Sequence, residues 1–288
     1  VHIGITIARF DWPGGPAAIR PNMLRIGRGA DARGLYSLWV MDHFFQIGGN
    51  GAPEEPMLEG YTALGFLAAA TEKVNLGTMV TGVTYRNPAI LAKTVTTLDV
   101  LSGGRAYLGI GAAWFEYEHE SYGVPFPPVK ERFERLEETL KIADGMFSDS
   151  DAGFEGAHYS PKRLLNSPPP LSRPRPRILI GGGGEKKTLR FVARYADACN
   201  LFDGGDEMVA HKLDVIREHC EAEGRDYDEI EKTVIVRIAP DATAKSIAGR
   251  LERLRALGIT HAIGGPPIAA DEHYLDLLGE IASLVADL

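Results

Sequence analysis

The chain has 288 residues, 44% apolar and 24% charged; this is the composition of a globular protein able to bury a large core, and it excludes global disorder. A formal charge of −8 and a pI near 5.5 make the surface repel phosphate backbones and anionic lipids, which argues against nucleic-acid and membrane partners. No apolar run approaches the roughly 18 residues of a membrane span, no signal-peptide pattern opens the chain, and Cys199 and Cys220 are too few for a disulfide framework, so the expected compartment is the cytoplasm.

Short β-branched runs alternate with longer segments of helical period. Strand 2–7 is followed by helix 21–33, 37–41 by 60–71, 74–80 by 89–101, and 106–110 by 130–147. Then 177–180 precedes 186–195, 198–202 precedes 208–223, 233–238 precedes 244–257, and 261–264 precedes 272–286. The strands are almost continuously apolar, as parallel strands buried on both faces must be. The helices repeat apolar residues at three- and four-residue spacing, as in Leu136, Leu140, Ala143 and Phe147. Eight βα units in this length predict a closed (β/α)8 TIM barrel, one domain over 1–288, in preference to an open doubly wound sheet. Residues 148–176 are proline-rich and aperiodic and read as an insertion loop after the fourth βα unit. Phe154, His158 and Tyr159 point to a lid over the C-terminal mouth, where barrel active sites sit; the alternative is a solvated linker.

Polar residues at strand ends face that mouth. The second strand ends in Met41-Asp42-His43-Phe44, an acid and an imidazole suited to proton transfer or to a structural pair. The third runs Leu76-Gly77-Thr78-Met79-Val80-Thr81-Gly82-Val83-Thr84, whose glycines and threonines admit a flat ligand. The fourth gives Gly109-Ile110-Gly111-Ala112-Ala113-Trp114-Phe115, small residues and then an aromatic pair. Glu116, Glu118, His119 and Glu120 follow, and read as a solvated helix start. After the fifth strand, Gly181-Gly182-Gly183-Gly184 feeds a helix beginning near Thr188, an anion site built from free N–H groups, to which Lys186 or Lys187 adds charge. There is no Walker A loop, dinucleotide fingerprint, nucleophile elbow or zinc motif, so no metal is expected.

These residues, with Tyr85-Arg86-Asn87-Pro88 and the run from Asp99 to Arg105, resemble the luciferase-like monooxygenase superfamily, most of all its branch that uses the deazaflavin coenzyme F420. The resemblance implies Asp42 and His43 near the reactive face of the ring, with His43 the proton-transfer group. It implies a non-prolyl cis peptide at Met79–Val80 backing the ring, with Gly82, Ala112 and Ala113 lining it. Gly182, Gly183, Gly184 and Thr188 would hold the phosphate. Sugar-phosphate dehydrogenases of this family carry a tryptophan after the Asp-His pair and a glutamate after the fourth strand; here Ile47 and Trp114 stand there. An apolar pocket of Ile47, Trp114 and Phe115 suits a hydrophobic substrate instead.

The resulting expectation is an F420-dependent oxidoreductase acting on a small hydrophobic molecule, with the polyglutamate tail of the coenzyme leaving past Lys162, Arg163, Arg173, Arg175 and Arg177. One alternative keeps the fold and uses FMNH2 and dioxygen in a two-component monooxygenase. Another is a barrel that binds flavin or a metabolite without turnover. The resemblance further implies a homodimer, with helix 89–101 available for the interface, and a flavin or F420 reductase as partner.

Overall fold

A computed structural model describes residues 1–266 and 268–286. The strands are β1 (His2–Ile7), β2 (Ser37–Val40), β3 (Asn75–Thr78), β4 (Thr81–Gly82), β5 (Ala106–Gly111), β6 (Arg177–Gly181), β7 (Ala198–Phe202), β8 (Glu231–Arg237) and β9 (His261–Gly265). All are parallel to their neighbours, in the order β3-β2-β1-β9-β8-β7-β6-β5-β4, and pairing of β3 with β5 closes the ring. β3 and β4 are the two halves of the third barrel strand, interrupted at Met79–Val80, where the peptide is cis as the resemblance implies. The fold is thus the eight-stranded barrel that the alternating pattern predicts. Gly109 makes closure possible, because a Cβ there would lie 1.8 Å from the Thr78 carbonyl oxygen.

Around the barrel lie α1 (Pro16–Ala32), α2 (Gly60–Ala70), α3 (Pro88–Ser102), α4 (Glu116–Tyr122), α5 (Val129–Phe147), α6 (Thr188–Tyr195), α7 (Asp206–Glu223), α8 (Ala244–Leu257) and α9 (Glu272–Leu284). α1 begins before the expected residue 21 because Gly14 and Gly15, at φ 102° and 63°, turn the chain and Pro16 takes the first helical position. No helix among the described residues is long and apolar enough to cross a membrane.

The barrel interior is filled. Trp39, Tyr107, Leu179, Ala198 and Ile263 form a buried layer on which Met79, Val80 and Ile235 rest. At the base, Trp39 Nε1 donates to Ser37 Oγ (2.7 Å), which meets His261 Nε2 (2.8 Å), while His261 Nδ1 meets Glu231 (2.9 Å). Tyr107 and Arg177 also donate to Glu231, at 3.0 and 2.9 Å. Burial opposes ionisation of this carboxyl, but His261, Arg177 and Tyr107 hold its pKa below the usual value.

Residues 148–176 correct the sequence expectation. They connect the end of α5 to the start of β6, so they begin and end at the base of the barrel, opposite the mouth. Glu138 of α5 accepts backbone N–H groups of Ala157, His158 and Tyr159 at 2.7–3.1 Å. Asp99 of α3 accepts those of Leu171 and Ser172 at 2.7 and 2.9 Å, and Asn166 bridges Thr96 and Met146. The segment is a strap over α3 and α5, and Phe154 and Tyr159 pack on the core instead of closing a lid. Its basic residues form no exit groove at the mouth. Arg163 pairs with Asp151, Arg175 with Asp144 and Asp197, Arg177 with Glu231 and Lys162 with Glu155, and Arg173 donates to the Pro170 carbonyl.

Candidate active site

A cavity of about 700 Å³ opens at the C-terminal ends of the strands, within the range of small-molecule sites. Of the residues expected to form a site, His43, Ile47, Met79, Val80, Gly82, Ala112, Ala113, Trp114, Gly182 and Thr188 line it. Gly183 and Gly184 form the turn behind Gly182 and Thr188, where Gly184 accepts from Leu189 N–H at 3.0 Å. Phe115 packs edge-on against the His43 ring, 5.7 Å between centroids. Asp42 and Phe115 are not on the cavity wall.

The wall over β4, β5 and β6 is made of small residues set against Val80. A Cβ on Gly181 or Gly111 would stand 2.9 or 3.1 Å from the Val80 side chain. The space next to Met79–Val80 therefore depends on glycine in the neighbouring strands. Gly182, at φ 118°, turns the backbone toward Thr188 and α6. Of the lysines near this turn, Lys187 sits over the Phe133 ring, and Lys212, from α7, pairs with Glu185 at 2.5 Å.

Ala113 lines the same wall with φ 60°, a left-handed conformation that costs an L-residue roughly 1–2 kcal/mol. Ala113→Gly should raise stability by about 0.5–1 kcal/mol after the added chain entropy of glycine is subtracted. Urea unfolding measures this, and a loss of stability would mean that packing of the methyl outweighs the strain.

Asp42 is turned away from the cavity, which corrects its assignment to the cofactor. Its carboxylate takes a bidentate pair from Arg86, at 2.6 and 2.9 Å, with no side-chain exposure. Arg86 also reaches Glu59 at 2.5 Å. Burial raises the Asp42 pKa and the guanidinium pulls against it. Burial likewise opposes the charge on Arg86, but Asp42, Tyr61 and Glu59 keep its pKa above the ordinary value. Behind the cis peptide, Tyr61, Thr81 and Thr78 form a hydrogen-bonded chain, at 2.8 and 2.9 Å.

The partner of His43 is Glu118, one of the residues expected to be solvated. Glu118 and His119 are fully buried on the inner face of α4. Glu118 Oε1 lies 2.7 Å from His43 Nδ1, and its other oxygen accepts Phe44 N–H at 2.8 Å. The Tyr85 hydroxyl donates to the same carboxylate. With Nδ1 committed, Nε2 is the ring nitrogen left for the cavity. Trp114 holds the ring from one side, 5.6 Å between centroids. Helical phase carried the missing signal: Glu118, His119 and Tyr122 share one face of α4, in phase with Phe115 at its N-cap. A carboxylate that orients an imidazole at the edge of a largely apolar cavity is equipped to move a proton at Nε2.

The sequence matches the model of the luciferase-like monooxygenase family over residues 2–276. The chain belongs to that family. A curated relative, the F420-dependent glucose-6-phosphate dehydrogenase of Kineococcus radiotolerans, is 34% identical over 220 residues, which cover 74% of this chain and 62% of the relative. The match thus spans under two thirds of the relative's length. Among solved structures, an F420-dependent secondary alcohol dehydrogenase in complex with an F420-acetone adduct superposes with a TM-score of 0.84 at 19% identity, covering 99% of this chain and 98% of the other. Monooxygenase RslO1 from Streptomyces bottropensis gives a TM-score of 0.81, also at 19% identity, with 100% and 99% covered. The barrel fold is therefore shared by proteins named for different chemistries, and fold does not choose between them.

Proposed function

We propose that this chain is an F420-dependent oxidoreductase that acts on a small, largely apolar organic molecule. The carrying observation is the His43–Glu118 pair on the edge of a largely apolar cavity that glycines and alanines of the strand ends also line. The relatives named as F420-dependent support the choice of cofactor. Met79, Val80, Gly82, Ala112 and Ala113 would hold the ring, and Gly182 to Gly184 with Thr188 the phosphate, using backbone N–H groups at the head of α6. Coenzyme F420, when bound, supplies two-electron hydride exchange. His43 exchanges the accompanying proton through Nε2, and Glu118 keeps Nδ1–H in place. Ile47 and Trp114 exclude water from one side of the site. Exposed Ile90 and Leu101 on α3 fit the expected homodimer.

Titration of the purified protein with oxidised F420, FMN and FMNH2 tests the assignment. Saturable F420 binding at least tenfold tighter than FMN is expected. Preference for FMNH2 together with oxygen-dependent turnover would replace the deazaflavin reading with a monooxygenase.

A further inference from the structure

We infer that a second cavity, at the base of the barrel, is a binding site for a small phosphate-bearing molecule, separate from the site at the mouth.

This cavity, of about 690 Å³, lies where the chain enters β6, β7, β8 and β9, at the end of the barrel opposite the mouth. Six cations line it: Arg173, Arg175 and Arg177 from the alternating Arg-Pro run that leads from the strap into β6, Arg217 of α7, Lys232 of β8 and Arg255 of α8. Four carboxylates share the wall, Asp197, Asp228, Glu229 and Glu231, so six cations face four anions. In a protein of net charge −8, that surplus gives the base a local preference for anions that the surface as a whole lacks.

Pairing places the surplus. Arg175 meets Asp197 at 2.7 Å, Arg177 meets Glu231 at 2.9 Å, and Arg217 meets Asp214 of its own helix at 2.5 Å. Arg173 donates to the backbone carbonyls of Pro170 and Ser172 and, among the described residues, has no carboxylate partner. Arg255 has neither a hydrogen bond nor an ion pair from its side chain among the described residues.

Two buried groups add donors with capacity to spare. Lys232 is 5% exposed; its ammonium donates to the Tyr227 carbonyl at 2.7 Å, while Asp228 stands 3.6 Å away with its own side chain 90% exposed. Burial lowers the pKa of this amine, a cost that a bound anion would offset. The Tyr227 hydroxyl is buried and has no hydrogen-bond partner among the described residues. Burial pushes its pKa up to about 12, so it stays an O–H donor at neutral pH. Donors drawn from the strap, α7, β8 and α8 suit a tetrahedral oxyanion, which accepts hydrogen bonds in several directions, better than a planar carboxylate, which one guanidinium fork satisfies. The volume is in the range of small-molecule sites, so the phosphate is carried on an organic body.

Calorimetric titration of the apo-protein with inorganic phosphate, succinate and acetate, at pH 8 and fixed ionic strength, tests this without any turnover. Saturable phosphate binding, at least about tenfold tighter than that of either carboxylate, is expected. Arg173→Gln and Arg255→Glu should each weaken it by about 10–100-fold, the worth of a charge-assisted hydrogen bond. Both side chains are exposed, so unchanged urea midpoints will show that the fold is intact. A phosphate held at the glycine turn near Thr188 lies at the other end of the barrel and is untouched by either substitution. Unchanged phosphate affinity in both variants would therefore assign the ion to the mouth and overturn the base site. Equal or tighter binding of succinate or acetate overturns it too, as does a wild type that shows no saturable phosphate binding at millimolar concentration. Protein that binds no F420 but loses phosphate affinity in both variants would forfeit the proposed function and keep the base site.

Discussion

His43→Ala is expected to lower kcat by about 10²–10⁴-fold, the usual contribution of a positioned acid or base, with F420 affinity changed by less than about threefold. The imidazole lies on the cavity wall with Nδ1 held by Glu118, and among the described residues no other imidazole or carboxylate lines the cavity to take over the proton. Removing the ring leaves the walls of β4 to β6 untouched, so loss of kcat with retained binding is the signature. Glu118→Gln keeps the shape and an oxygen that can accept from Nδ1–H but removes the negative charge; about a tenfold loss in kcat is expected. Single-turnover hydride transfer, followed by the absorbance of the deazaflavin, separates chemistry from binding in both variants. Full activity of His43→Ala would remove His43 from the mechanism and with it the main support for catalysis.

Asp42→Ala should destabilise the fold by about 3–5 kcal/mol, the cost of leaving one member of a buried ion pair without its partner. Asp42 has no side-chain exposure and Arg86 only 15%; Glu59, at 39%, would be left as the sole anion on the guanidinium. Urea unfolding gives the change in midpoint, and the double variant Asp42→Ala/Arg86→Met should recover much of the loss because it removes the stranded charge as well. A loss below about 1 kcal/mol in the single variant would mean that the site relaxes to admit water.

The contrast between Asp42 and His43 shows what the sequence could carry. Adjacent strand-end residues project to opposite sides, so the pair that looked like one functional unit separates into a structural anion behind the wall and an imidazole on it. The barrel itself was legible because buried parallel strands leave a continuous apolar trace, and the break at Met79–Val80 came from the resemblance. Glu118 was not legible from residue type, since four polar residues on a short helix look solvated until the phase with Phe115 and Tyr122 is taken into account. The strap at 148–176 was misread because its aromatic content was weighed and its topology was not. A segment that leads from a helix into the next parallel strand begins at the end of the barrel farthest from the mouth.

The plugged interior has a kinetic corollary. Trp39 and the chain from Ser37 through His261 to Glu231 stopper the barrel below the cavity, so ligands would not enter along the barrel axis from the base. A ring seated against Met79–Val80, which pack on the buried layer, would lie deeper than a molecule at the rim, and the deeper guest would have to arrive first and depart last. Turnover should therefore follow a compulsory order, with product inhibition patterns to match, and every proton that His43 gives up has to be replenished through the entrance that the substrate uses.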